Sequence, residues 1–329
     1  MDYNNHKISK KLRRFVSMKK RNILSFAVLT LAGMHMINKF VQKNARNLYP
    51  YFHSKDSEYQ WKYGNIFYTK QGKGSPVLLL HDLTAGSSSF EWHKLIKELE
   101  KNHTVYALDF IGCGQSEKPN MTYVNFVFVQ MLCDFIHDII KMPCTIITSG
   151  ASSSVALMST LYKKELFREL ILINPCHVFG NKLPETENKY KHFFLRLPII
   201  GTFCANKMNN INSYENLFYN NYFYDPYQVD NSLIYAYYAA YQYGETSKAL
   251  YSSIVNHYTD ANVTRALMKL KIPVSIISSK EESDYQQIIE EYKNFHSDIK
   301  VEILSNSKHL PALEIPADLS CAISSILSE

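Results

Sequence analysis

The stretch Cys144-Thr145-Ile146-Ile147-Thr148-Ser149-Gly150-Ala151-Ser152-Ser153-Ser154-Val155-Ala156-Leu157 decides how the chain is read. Five residues of apolar, β-branched character run into a cluster of small residues and then directly into a helical pattern. A strand that turns this abruptly into a helix needs tiny side chains beside the turn, and it pushes the residue at the apex into the open. Spelled as G-x-S-x-small, the turn is Gly150-Ala151-Ser152-Ser153-Ser154, with serine where a second glycine is usual. This frame makes Ser152 the candidate nucleophile, with Ser149 and Ser153 as competitors.

On either side of this stretch, strand and helix patterns alternate. Asn65 to Lys70, Pro76 to Leu80, Thr104 to Asp109, Leu170 to Ile173, Val274 to Ile277 and Val301 to Leu304 are short runs of strand character. Most are continuously apolar, as parallel strands covered on both faces are. Phe90 to Leu99, Tyr123 to Ile140, Ser153 to Tyr162, Tyr285 to Phe295 and Ala317 to Leu327 have helical spacing. The alternation predicts an α/β fold, a mostly parallel central sheet with helices on both faces. It breaks between about 176 and 266, where a Tyr- and Phe-rich segment reads as an inserted helical lid. These aromatics either form the insert's own small core or line a pocket over the site.

An activated serine needs a general base, and the base needs an acid to hold it. With chain order serine, acid, histidine, His309 falls in the loop after the last strand and is the expected base. After the strand ending at Ile277 come Glu281, Glu282 and Asp284. Glu282 stands nearest the expected place of the acid, with Glu281 and Asp284 as rivals. Backbone N–H groups of Leu83, after the early strand, and of Ser153, after the elbow, are the expected oxyanion donors.

Four segments together resemble the α/β-hydrolase superfamily: His81-Asp82, Asp109 to Ser116, Gly150 to Ser154, and His309-Leu310-Pro311-Ala312-Leu313-Glu314. The closest flavour is the branch of esterases, cofactor-free haloperoxidases and proline iminopeptidase-like enzymes. The resemblance spans about 62–329. It implies a Ser152–Glu282–His309 triad, an acyl-enzyme and a small-molecule ester or related acyl substrate. It also exposes a departure: the early motif is usually His-Gly, and here the glycine is Asp82. A degenerate binding module, or peptidase or peroxidase chemistry on the same scaffold, are the alternative readings.

The net charge of +6 belongs to the N-terminus. Residues 1–21 hold eight Lys and Arg against Asp2, so the other 308 residues sum to −1 and give no nucleic-acid face. Residues 1–22 form a basic tail, 23–41 an apolar membrane anchor, and 42–61 a linker. A cleaved signal or an interfacial helix are the alternatives to the anchor. The basic flank puts the N-terminus in the cytoplasm and the catalytic domain outside. Anchor and aromatic lid together suggest a lipophilic substrate. The six cysteines form no CxxC pair and read as buried thiols. No metal site or cofactor motif stands out.

Overall fold

The computed structural model describes residues 2–48, 57–180, 185–244 and 246–328. The expected linker between 49 and 56 lies outside the described residues, as does the first residue of the tail. A long helix, α1 (Asp2–Asn47), takes in the rest of the tail, the whole anchor and the first residues of the linker. No proline and only Gly33 interrupt this stretch, so the helix has no reason to stop at the expected boundaries. The linker also hides a strand, β1 (Ser57–Trp61), which pairs antiparallel with β2 (Gly64–Gln71).

The sheet continues with β3 (Ser75–Leu80), β4 (His103–Leu108), β5 (Cys144–Ser149), β6 (Phe167–Ile173), β7 (Val274–Ser279) and β8 (Lys300–Leu304). The strand order is β1-β2-β4-β3-β5-β6-β7-β8. The two pairings of β2, with β1 and with β4, are antiparallel and the rest parallel, so β2 alone runs against the other strands. The order doubles back at β4-β3-β5, the switch point at which open α/β sheets place their sites. Leu80 is level with Thr148, Thr148 with Leu172, Ile173 with Ile277 and Ser279 with Leu304. The loops that leave β3, β5, β6, β7 and β8 therefore emerge along one edge.

Helices cover both faces. α3 (Asn125–Phe135) and α4 (Ser152–Tyr162) pack with Phe128, Leu132, Val155 and Leu157 against one side. α2 (His93–Leu99) and the C-terminal α13 (Pro316–Ser328) pack on the other, around Trp92, Leu95, Leu319 and Ile323. The insert after β6 forms α5 (Thr186–Arg196), α6 (Ile200–Met208), α7 (Ile211–Leu217), α8 (Asn231–Gln242) and α9 (Lys248–Val255). α10 (Thr264–Lys269), α11 (Tyr285–Phe295) and α12 (Pro311–Glu314) complete the fold.

Most lid aromatics pack on one another: Tyr214, Phe218, Tyr222, Phe223, Tyr237 and Tyr241 share a cluster that also takes Ala45 of α1. Of the cysteines, Cys113, Cys133 and Cys144 are buried, but Cys176 and Cys321 are exposed, the latter on the outer side of α13. By length and composition the segment Asn22–Ala45 of α1, with mean hydropathy 1.4, is long and apolar enough to cross a membrane.

Candidate active site

β5 ends at Ser149 and α4 begins at Ser152, so only Gly150 and Ala151 lie in the turn. Gly150 has φ +54, the left-handed conformation that a side chain resists. The apex of the elbow is thus Gly150, two residues before the expected nucleophile. Ser152 opens the helix with its Oγ turned into the sheet and no exposed surface. That Oγ lies 2.8 Å from the Ser149 carbonyl and 3.1 Å from the Leu80 carbonyl. The structure does not bring it to His309.

The rival serines are also occupied or buried. Ser153 Oγ is 2.8 Å from Thr148 Oγ1, and Ser149 is buried. The backbone N–H of Ser153 closes the turn onto the Gly150 carbonyl at 3.2 Å, so it is not the oxyanion donor expected of it.

What faces His309 is Asp82. Its Oδ2 is 3.3 Å from His309 Nε2, and His309 Nδ1 is 2.9 Å from Glu282 Oε1. Glu282 is therefore the acid that meets the histidine. Asp284 instead faces His177 Nε2 at 3.9 Å, and Glu281 has no ion pair or hydrogen bond to His309. The other oxygen, Asp82 Oδ1, accepts from the N–H of Leu83 and from the N–H of Ala151, both at 2.8 Å. The residue after the elbow apex and a residue of the loop after β3 thus supply the two converging donors. Leu83 is where the sequence placed it; Ala151 takes the place expected for Ser153. A Cβ built on Gly150 would collide with Asp82 Oδ1. One carboxylate occupies both the space of an elbow side chain and the mouth of the anion hole.

Asp82 is fixed along its backbone as well. Its N–H donates to Glu91 Oε2 at 3.0 Å. His81 Nε2 accepts from Phe110 N–H at 3.1 Å, so its proton sits on Nδ1, which donates to the Asp82 carbonyl at 2.7 Å. His309 is held by residues the sequence did not single out. Asn174, at φ +43 just after β6, donates to the carbonyls of Lys308 and His309 at 2.9 and 3.1 Å and accepts from Ser279 N–H. Glu314 accepts from Lys308 N–H with one oxygen and from the lid N–H groups of Tyr224 and Asp225 with the other. Tyr222 of the lid stacks on the imidazole, centroids 5.1 Å apart and planes 16° from parallel.

The electrostatics follow from the geometry. Burial opposes ionisation of Asp82, but the His309 hydrogen bond and charge and the N–H groups of Ala151 and Leu83 outweigh it, so its pKa lies below the ordinary value. Burial likewise opposes the charged form of His309, yet Asp82 and Glu282 together push it up to about 10. At neutral pH a charged Asp82 therefore faces a charged His309, whose other ring nitrogen meets Glu282. Glu91, buried behind Asp82, is pushed up to about 7 by burial and by the Asp82 charge. A cavity of about 180 Å³ reaches His309 and Glu282 from the side of Cys176, His177 and Asp284.

A model of the alpha/beta hydrolase family matches residues 77–320. The chain belongs to that family. Its fold resembles that of epoxide hydrolase CorEH, with TM-score 0.67 and 20% identity over 83% of this chain and 98% of that one. It also resembles that of carboxylesterase CesB from Bacillus subtilis, with TM-score 0.64 and 16% identity over 90% and 98%. Among curated relatives, a 2-hydroxy-6-oxo-6-(2'-aminophenyl)hexa-2,4-dienoic acid hydrolase of Metapseudomonas resinovorans is 30% identical over 108 residues. That alignment covers 32% of this chain and 37% of the relative, about a third of each. Within this family, the present chain carries glycine at the elbow apex and a carboxylate from the neighbouring loop in its place.

Proposed function

We propose that the protein is a hydrolase whose nucleophile is Asp82, served by His309 and Glu282, in place of the serine triad that the Ser152 frame suggests. The observation that carries this reading is the division of labour between the two Asp82 oxygens. Oδ1 is saturated by two N–H donors, while Oδ2 faces the histidine. A carboxylate so held suits attack on a saturated carbon with a displaceable oxygen, and an epoxide fits best. Oδ2 attacks the epoxide carbon, the carbon–oxygen bond breaks, and the departing oxygen takes the Nε2 proton of His309. The product is an alkyl ester on Asp82, and His309 is left neutral. Esterification also removes one of the two charges that raise its pKa, so the imidazole becomes the base that hydrolysis requires. It takes a proton from water as the hydroxide adds to Asp82 Cγ. The oxyanion develops on Oδ1, against the N–H groups of Leu83 and Ala151. Collapse expels the alkoxide, which takes the remaining hydroxyl proton. A diol leaves, Asp82 is again a carboxylate and His309 again charged.

The substrate is read as small and lipophilic, since Tyr222 of the aromatic lid stacks on His309. The apolar segment of α1 is read as a membrane anchor with its basic flank in the cytoplasm and the domain outside. A panel of aryl and alkyl epoxides and p-nitrophenyl esters tests the chemistry on the full chain. Epoxides are expected to be turned over. Asp82→Asn is expected to lower kcat by about 10³-fold or more, and Ser152→Ala to leave the rate within about threefold. Ester turnover that vanishes in Ser152→Ala restores the serine reading.

A second reading, a binding module without catalysis, is favoured by the 4% exposure of Asp82. A folded protein inert to the whole panel would support it.

A further inference from the structure

α1 leaves the domain at the lid. Asn38 donates to the Ile199 carbonyl at 3.0 Å and accepts from Asn206 at 3.2 Å, and Gln42 donates to the Gly244 carbonyl. Ala45 is fully buried in the lid core. Ahead of these contacts, Ile23, Leu24, Phe26, Val28 and Leu29 are all exposed. The helix is thus clamped to α6 and the end of α8 over its last turns, and its apolar length projects free of the domain.

α5 sits at that junction. Its last residue, Arg196, lines with His35, Asn38 and Lys39 of α1 and with Lys248 a cavity of about 360 Å³. The exposed face of α5 is aromatic. Tyr190, Phe193 and Phe194, spaced i, i+3, i+4, are 73%, 67% and 47% exposed. Lys189 and Lys191 flank them in sequence. Three large aromatics on one helical face, next to the root of an apolar helix, leave apolar area in water that nothing in the domain covers. Aromatic rings with neighbouring lysines and an arginine are the composition of a membrane–water interface. Arg196 stands level with α1 residues 35–39, where the apolar run gives way to Asn38 and Lys39. That is the depth of lipid headgroups if the run spans the hydrocarbon.

We infer that the Tyr190–Phe193–Phe194 face of α5 is seated in the interfacial layer of the bilayer that α1 enters, so that the lid rests on the membrane. The inference builds on the anchor reading of α1.

Tryptophan reporters separate the two claims. The native Trp61 and Trp92 are buried in the domain and supply a constant background. In the full chain, Phe26→Trp reports on α1, and Phe193→Trp on the lid, with Phe194→Trp as a second lid probe if the first does not fold. Each is reconstituted into phosphatidylcholine vesicles with ordinary or brominated acyl chains. The inference expects the added emission of both Phe26→Trp and Phe193→Trp to drop by about half or more in brominated lipid. Quenching of Phe26→Trp alone overturns the seated lid and leaves the anchor standing. Quenching of neither overturns both. A Phe193→Trp emission that shifts with protein concentration and ignores bromination assigns the face to a second copy of the chain, and also overturns the inference.

Discussion

Asp82 spends every polar atom it has. Its N–H, its carbonyl and both carboxylate oxygens are bonded to Glu91, His81, Leu83, Ala151 and His309. Such a residue tolerates little change, and its neighbours report on it. Gly150 is the sharpest reporter, because Asp82 fills the space that an elbow side chain would take. Gly150→Ser alone is expected to cost about 1–3 kcal/mol, from the left-handed backbone and the collision with Asp82. Paired with Asp82→Gly, it places a hydroxyl beside His309 with Ala151 and Leu83 N–H groups vacated around it. The double variant is expected to be labelled by a fluorophosphonate probe at residue 150, where the wild type is not; mass spectrometry of the labelled peptide reads the site. No labelling in a folded double variant contradicts the placement of the apex.

At the scale of elements, the alternation of strands and helices was plain in the chain, because parallel strands buried on both faces must be continuously apolar. β3 to β8 stand where those runs stand. β1 was hidden, since an edge strand with the pattern Ser-Glu-Tyr-Gln-Trp carries a short polar–aromatic alternation, easily taken for a connector. The elbow was legible as a place and mistaken by two residues in its frame. The G-x-S frame puts Gly150 two residues before the nucleophile, yet strand and helix close to within two residues of each other and put it at the apex. With serine at 149, 152, 153 and 154, no local signal distinguishes the frames. The telling residue is distant: Asp82, where small size is usual, fills the space beside Gly150 and faces His309. His309 and Glu282, which the structure brings to 2.9 Å of each other, each follow a recognisable strand. Asn174 and Glu314, which hold the His309 loop, act through backbone groups that leave no pattern in the sequence. Glu314 joins that loop to the lid at Tyr224 and Asp225. Glu314→Ala leaves three N–H groups without their acceptor and is expected to cost about 1–3 kcal/mol in denaturant unfolding. It should also raise hydrogen exchange at Tyr224, Asp225 and Lys308.

At the scale of the whole molecule, charge in the site makes stability depend on pH. The folded pKa of His309 is raised to about 10 from 6.5. A raised folded pKa stabilises fully below the unfolded value and is lost as pH climbs through the folded one. Glu91, raised to about 7, acts in the same direction over a lower range. Thermal stability is therefore expected to fall between pH 7 and 10, and His309→Gln to flatten that fall. An unchanged slope in His309→Gln means the ion-pair row does not contribute as drawn. The same row explains why a carboxylate is tolerated beside the Leu83 and Ala151 N–H groups at all: the charged imidazole neutralises it.

The most direct measurement follows the oxygen. A single turnover with enzyme in excess over an epoxide, in water enriched in oxygen-18, distinguishes attack by Asp82 from every other route. Attack by Asp82 puts an enzyme oxygen into the diol and leaves the heavy isotope on the carboxylate. The peptide containing Asp82 should then gain about 2 Da, and the first diol formed should be unlabelled. A labelled diol with an unlabelled Asp82 contradicts the account, as does a folded protein that opens no epoxide.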